Sequence, residues 1–301
     1  MKMDNIYNIF PECIKGKLGN IGSNDGVTEI RLRVGRRVCI YMGKKEITID
    51  YIVTMKDILD ILVKVSKNSL YAIQNDINQG FVTIKGGHRI GISGEAVVEN
   101  NKVINIKNIN SLNIRVAKQI IGSANSIVDY VVDDFEIKNL LIVAPPGCGK
   151  TTILRDLIRQ ISSGNKKRRG YNIGVVDSRG EIASVYGGIP YLDVGTRTDI
   201  MTNISKAKGM EMFVRSMGLS AIATDEIGSK EDIEAIETAM ISGVKLIFTM
   251  HGTSIEDVYI NNNIKGIINY FDYIVVLSNR NGVGTIEKIH SIKNKANKEA
   301  I

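Results

Sequence analysis

The 301-residue chain contains no tryptophan, and aromatic residues make up only 6% of it. It therefore offers few stacking platforms for unpaired bases, which weighs against a protein whose main task is holding single-stranded nucleic acid. No apolar run approaches the roughly 18–20 residues that a membrane-spanning helix needs. The opening Met1-Lys2-Met3-Asp4-Asn5 lacks the apolar core of a secretory signal. The expectation is a protein made and kept in the cytosol. Cysteine is scarce as well: Cys13, Cys39 and Cys148 lie far apart without metal-ligand spacing, which fits a reducing compartment. Internal repeats and low-complexity tails are also missing.

What is present is ordinary for a soluble globular protein, with 44% hydrophobic and 24% charged residues. The length suits two domains, or one large one. A net charge of +7 suits an acidic partner, either nucleic acid or an anionic membrane surface. The one dense basic run, Lys166-Lys167-Arg168-Arg169, reads as a solvated loop before it reads as a binding surface.

The most informative stretch is Ala144-Pro145-Pro146-Gly147-Cys148-Gly149-Lys150-Thr151-Thr152. It follows the apolar run Leu140-Leu141-Ile142-Val143 and precedes a segment with helical spacing from Ile153. Strand, glycine-rich turn and helix form the context in which a Walker A phosphate loop is credible. Gly147 and Gly149 let successive N–H groups turn towards phosphate oxygens, and the helix adds its positive end. Pro146 to Thr152 are the expected nucleotide-binding residues. Lys150 is placed to reach the β- and γ-phosphates, and Thr151 to complete a Mg²⁺ shell. Cys148 is read as a small spacer. Ala144 occupies the first, usually glycine, position, which requires a negative φ there.

Two halves read differently. From Val27 to about Ile114 short strands dominate: Val27–Val34, Val38–Tyr41 and Phe81–Ile84, with a helical stripe over Lys56–Lys67 and a last strand near Ser111–Val116. This predicts a small α+β domain over residues 1–120. A helix is expected over Gly122–Tyr130. From Asn139, continuous apolar runs alternate with helical patterns, which predicts a parallel sheet covered on both faces over residues 121–301. Asn281-Gly282 marks a closing hairpin. The fold class expected is α/β, a RecA-like P-loop ATPase core with a smaller N-terminal α+β domain.

Hydrolysis needs a carboxylate on a neighbouring strand. Ser220-Ala221-Ile222-Ala223-Thr224-Asp225-Glu226 is an apolar strand ending in two acids. Asp225 is the expected metal ligand, and Glu226 the group that orients or deprotonates the attacking water. Asp225-Glu226-Ile227-Gly228 also fits a D-x-x-G motif, but no guanine-reading Asn-Lys-x-Asp follows, so ATP is expected over GTP. Asp177-Ser178-Arg179-Gly180-Glu181 reads either as a second polar layer around the water or as a bare turn. Thr249-Met250-His251-Gly252 ends another strand and places His251 at the ligand-binding edge of an open α/β sheet, for a γ-phosphate sensing or coupling role. An arginine finger, worth roughly 10³–10⁵ in rate, is sought among Arg89, Arg115, Arg197 and Arg215, with Arg89 and Arg115 favoured.

Several blocks together carry a resemblance. They are Glu29-Ile30-Arg31-Leu32-Arg33-Val34-Gly35-Arg36, Gly80-Phe81-Val82-Thr83-Ile84-Lys85-Gly86-Gly87-His88-Arg89 and Ser111-Leu112-Asn113-Ile114-Arg115, with the phosphate loop, Arg215-Ser216-Met217 and Ala223–Gly228. The sequence resembles the stage III sporulation protein AA family of endospore-forming bacteria, relatives of the type II and type IV secretion ATPases. The resemblance implies a Mg²⁺-dependent, RecA-like ATPase working as a homo-oligomeric, hexameric ring. It implies a place at the cytosolic membrane face of the mother cell, on a membrane-protein partner in a channel complex of endospore formation. It puts Asp177–Glu181 in an acidic box and His251 in a histidine box, with arginines of the N-terminal half completing the site. The rival readings are a nucleic-acid-binding RecA-like ATPase and a nucleotide-binding scaffold with little hydrolysis.

Overall fold

The computed structural model describes residues 4–19, 26–43, 45–67, 69, 73–133 and 136–292; residues 1–3, part of the reading of the chain's opening, lie outside them. Its contacts group into two units. The first comprises Met1–Lys118 with Ser184–Tyr191, and the second Gln119–Ala183 with Leu192–Ile301.

The first unit runs α1 (Asp4–Tyr7), α2 (Glu12–Gly19), β1 (Glu29–Arg33), β2 (Arg37–Met42), β3 (Lys45–Ile52), α3 (Met55–Val65), α4 (Gln74–Asn78), β4 (Phe81–Ile84), β5 (His88–Glu99) and β6 (Lys102–Arg115). Its six strands make one sheet in the order β3-β2-β1-β6-β5-β4, every pair antiparallel. Strict alternation in β1 buries Ile30 and Leu32 and turns Glu29, Arg31 and Arg33 to the other face. Helix α3 forms where Ile58, Ile61, Leu62 and Val65 recur at helical spacing. Thr54 starts it with a capping box: its hydroxyl accepts the Asp57 N–H at 3.2 Å, and the Asp57 carboxylate accepts the Thr54 N–H at 2.8 Å. These apolar faces close on a single core with Phe10, Ile14, Ile90 and Ile114.

The hairpin β5–β6 was not legible as such. Its strands have 12 and 14 residues, and Asn100 and Asn101 join them at φ 48° and 59°, the backbone of a two-residue primed turn. Register shifts between Ser93 and Glu95, and between Val97 and Val98, interrupt the period of two that sequence reading depends on.

The rest of the chain supplies α5 (Val128–Val131), β7 (Leu140–Ala144), α6 (Lys150–Ser163), β8 (Ile173–Asp177), β9 (Val185–Tyr186), β10 (Ile189–Pro190), β11 (Thr198–Thr202), α7 (Lys206–Ser216), β12 (Ala221–Thr224), α8 (Lys230–Ile241), β13 (Lys245–His251), α9 (Ile255–Ile260), β14 (Tyr273–Ser278) and β15 (Thr285–Ser291). The hairpin β9–β10 counts with the first unit. The other strands form a seven-stranded sheet, β11-β8-β12-β13-β7-β14-β15, parallel except for β15. Strands β7, β8 and β12 are buried at every position, as continuous apolar runs predict for a sheet covered on both faces. Leu141 and Val143 share a core with Met210, Phe213 and Ile236 of α7 and α8, while α6 packs on β7 and β13 through its own apolar side.

The helix expected over Gly122–Tyr130 is a correction. Residues 121–127 form turns, and only the single-turn α5 follows. Gly122 has φ +85°, the N–H groups of Asn125 and Ile127 close turns on the carbonyls of Gly122 at 3.1 Å and Ala124 at 3.0 Å, and the Asp156 carboxylate of α6 takes the Ala124 N–H at 2.9 Å. Asn139 ties three strands at their starts. Its side chain accepts the Leu246 N–H at 2.8 Å and donates to the Tyr270 carbonyl at 2.7 Å, and its N–H reaches Asp272 at 2.8 Å. Among the described residues no helix is long and apolar enough to cross a membrane.

His88, at the start of β5, is buried. Its Nδ1 accepts the Ala117 N–H at 3.2 Å, while Nε2 has no partner among the described residues. Burial pushes its pKa from 6.5 down to about 4. The unfolded chain therefore takes up a proton below about pH 6.5 that the folded chain refuses, and stability falls as pH drops through that window. Between pH 7 and 5 the urea midpoint of the wild type should fall further than that of His88→Asn, which keeps the acceptor and loses the titration. Equal falls would contradict this placement of His88.

Candidate functional site

The carboxyl ends of β7, β13, β12 and β8 lie along one edge of the parallel sheet, because the register sets His251 beside Ala144, Thr224 beside Phe248, and Thr224 beside Val176. The loop from β7 to α6 occupies that edge. Gly147 and Gly149 take φ of +73° and +84°, a conformation costly for any other residue. Gly149 is also hemmed in: a Cβ there would stand 3.1 Å from Val283 and 3.4 Å from Gly284, in the β14–β15 turn. Ala144 ends β7 without a positive φ, so its methyl group is accommodated. Pro146 is exposed, the Cys148 side chain is buried, and Thr151 and Thr152 open the first turn of α6. The Lys150 ammonium is buried and donates to the carbonyls of Ala144 at 2.8 Å and Pro145 at 3.2 Å.

The Thr151 hydroxyl hydrogen-bonds one carboxylate oxygen of Asp225, and the Thr249 hydroxyl bonds the other. The acidic strand was expected beside the phosphate-loop strand; β13 lies between them instead. Thr249, on that intervening strand, spans the difference. Its Oγ1 also accepts the Glu226 N–H at 2.8 Å, and its carbonyl accepts the Ile227 N–H at 2.9 Å. Lys206 donates to the Glu226 carbonyl. These bonds hold Glu226 at φ +54°, a left-handed conformation that costs roughly 1–2 kcal/mol. Its side chain is half-exposed and pairs with Arg179 at 2.8 Å.

Asp177 behaves as a turn-former. Its buried carboxylate accepts the N–H groups of Glu181 at 2.8 Å, Ile182 at 3.1 Å and Ala183 at 2.9 Å. Burial raises its pKa, and those N–H bonds pull it back down. Arg155 of α6 fastens the same loop by donating to the carbonyls of Glu181 and Ile182. Burial lowers its pKa, against the pull of Asp177, Asp225 and Glu181. Arg197 donates to the Ser162 and Ser163 carbonyls at 3.1 and 3.2 Å, and Arg215 pairs with Glu211 at 2.7 Å. Arg89 and Arg115 lie opposite one another on β5 and β6 of the first unit; Arg89 stacks over Phe81, 3.4 Å from the ring centre, and Arg115 is exposed. The second unit thus gathers Lys150, Thr151, Asp225, Glu226 and His251 on one edge, with His251 exposed at the end of β13.

The family described as sporulation stage III, protein AA, matches residues 1–297. The chain belongs to that family. It is 36% identical to the stage III sporulation protein AA of Bacillus subtilis (strain 168) over 292 residues, 96% of this chain and 95% of that one. Among solved structures it is similar to the ATPase DotB of Yersinia pseudotuberculosis, with a TM-score of 0.60 at 14% identity, covering 89% of this chain and 75% of that one. DotB of Legionella pneumophila gives 0.59 at 12%, covering 89% and 76%. The pilus retraction motor PilT, solved with bound ADP, gives 0.57 at 14%, covering 88% and 76%. At such identities the likeness concerns the fold, an α/β architecture with a RecA-like ATPase core.

Sequence reasoning missed Thr249, Arg179 and Lys206. The first had a signal, a lone hydroxyl in the apolar run Leu246–Met250, two residues before His251. Arg179 owes its position to the turn after β8 and Lys206 to the start of α7, and no spacing encodes that both meet Glu226. Among the described residues no cluster of three or more His, Cys, Asp or Glu side chains is placed to hold a metal by itself. Thr151 and Asp225 offer hard oxygen donors, which suit magnesium when phosphate oxygens complete its shell. Thr249→Val keeps the shape and strands the Glu226 N–H. It should destabilise the second unit by about 1–3 kcal/mol in urea unfolding, whereas Thr249→Ser should stay close to wild type. A valine variant within about 0.5 kcal/mol of wild type would remove Thr249 from this account.

Proposed function

We propose that the chain is a Mg²⁺-dependent ATPase, an oligomeric ring motor that energises a secretion-like membrane channel complex during endospore formation. The observation that carries the reading is the bridge from the phosphate-loop hydroxyl of Thr151 through the Asp225 carboxylate to Thr249. A hydroxyl and a carboxylate meeting at the mouth of a glycine-rich loop are the donors a nucleotide-bound magnesium ion needs. Magnesium, when bound there, neutralises charge on the β- and γ-phosphates.

The chain's own residues do the rest. The N–H groups from Gly147 to Thr152 and the positive end of α6 cradle phosphate oxygens. Lys150 exchanges its carbonyl partners for those oxygens. Glu226 leaves Arg179 and orients the attacking water, accepting its proton. His251, at the end of the strand between, reads the γ-phosphate. The described arginines at this edge are committed, Arg155 to backbone carbonyls and Arg179 to Glu226, while Arg197 precedes the amino end of β11, at the opposite edge of the sheet. That favours Arg89 or Arg115 of the first unit as the extra cation, supplied in the ring by a neighbouring subunit. Family membership supports the sporulation setting, and with it a membrane-protein partner. The net charge of +7 suits an anionic surface.

A scaffold that binds nucleotide and turns it over slowly is the second reading. The Arg179–Glu226 pair favours it, since it occupies the water-activating group. Nucleic acid is the weaker partner. Arg168 of the basic run is drawn to Asp129 and the Val132 carbonyl, and Arg169 lies 4.9 Å from the Tyr171 ring centre.

Glu226→Gln should leave nucleotide affinity within about 3-fold of wild type and lower phosphate release by at least about 100-fold, the weight of a general base. In the wild type, specific activity should rise with protein concentration in step with assembly measured by light scattering. Turnover that survives in Glu226→Gln would defeat the mechanism, and activity independent of concentration would defeat the ring.

A further inference from the structure

The polar face of the first unit's sheet has a built groove. Along β1, β6 and β5 the register sets Arg31 opposite Asn113 and Asn113 opposite Gly91; two residues further it sets Arg33 opposite Ser111 and Ser111 opposite Ser93. These six residues line an open groove of about 370 Å³, a size within the ~300–1,000 Å³ of small-molecule sites. Its depth comes from Gly91. A Cβ built there would meet Asn113 at an ordinary 3.6 Å, so the backbone tolerates a side chain, and the missing one leaves the space open.

The lining has a definite chemistry. Arg31 pairs with Glu29 on its own strand, while among the described residues no carboxylate pairs with Arg33. Ser93 and Ser111 add hydroxyls. The Asn113 side-chain carbonyl is buried without a hydrogen-bond partner among the described residues. Forked guanidinium donors suit phosphate oxygens, and the two serine hydroxyls can donate to them as well. A ligand that suits this lining carries a phosphate group. Arg115 and Arg89, paired on the same face beside Glu29, extend the positive field.

We propose that this groove is a second phosphate-ligand site, in addition to the phosphate loop, that takes a small phosphate-bearing ligand, for which ADP serves as the probe. It stands on the first unit alone and does not depend on the hydrolytic reading.

The test counts ADP bound per full-length chain by isothermal titration calorimetry, with Mg²⁺ present. Wild type should bind two, Lys150→Ala one, Arg33→Ala one, and the double variant none. Gly91→Val, which fills the groove and keeps every charge, should also bind one, and it decides the matter if Arg33→Ala does not fold by circular dichroism. One ADP in the wild type, lost with Lys150→Ala alone, would overturn the proposal. So would Gly91→Val binding two. A count that Lys150→Ala leaves at two while Arg33→Ala and Gly91→Val lower it would sink the phosphate-loop reading and keep the groove.

Discussion

The Asp225 carboxylate, held on one oxygen by Thr151 and on the other by Thr249, joins the phosphate loop to the middle of the parallel sheet. Other features of the site depend on that junction. Strand β13 separates the loop strand from the acidic strand, so a side chain on β13 must transmit position between them. Thr249 does so, and through the Glu226 N–H it also holds the next residue at a positive φ. Backbone strain of this kind persists only where several bonds over-determine it. Here the Glu226 N–H, the Glu226 carbonyl and the Ile227 N–H are each engaged.

Charge is distributed unevenly between the units. In the second, the cations at the sheet edge have partners: Lys150 on two loop carbonyls, Arg155 on the loop that Asp177 organises, and Arg179 on Glu226. Asp177 illustrates how a conspicuous acid serves structure. Three backbone N–H groups surround it, and a buried carboxylate so held stabilises a turn better than it serves a ligand. In the first unit, arginines recur on the solvent side of β1, β5 and β6, where strand alternation places them away from the core.

Much of this was legible in the sequence where one local rule decides the outcome. The phosphate loop, the buried parallel strands and the Asn281-Gly282 hairpin each follow from a short pattern, and the structure has a strand, helix or turn there. The helix expected at Gly122–Tyr130 gave way to turns, because Gly122 takes φ +85° and the N–H groups of Asn125 and Ile127 bond the carbonyls three residues before them. The long hairpin β5–β6 was hidden by register shifts, and Thr249, Arg179 and Lys206 by contacts between strands and loops far apart in sequence. Strand order was legible only in part. Apolar runs predict a parallel sheet, but nothing in them says that β13 enters between β7 and β12.

The central claim is that Asp225 couples a magnesium-bound nucleotide to hydrolysis. Its most direct test is phosphate release from ATP across a magnesium titration, comparing wild type with Asp225→Asn, alongside nucleotide binding in magnesium-free buffer. The account predicts magnesium-dependent release in the wild type and a loss of at least about 100-fold in the variant, the scale of a removed electrostatic contact at a reacting phosphate. Magnesium-free binding should stay within about 3-fold. Release by Asp225→Asn at the wild-type rate, with the same magnesium dependence, would contradict it.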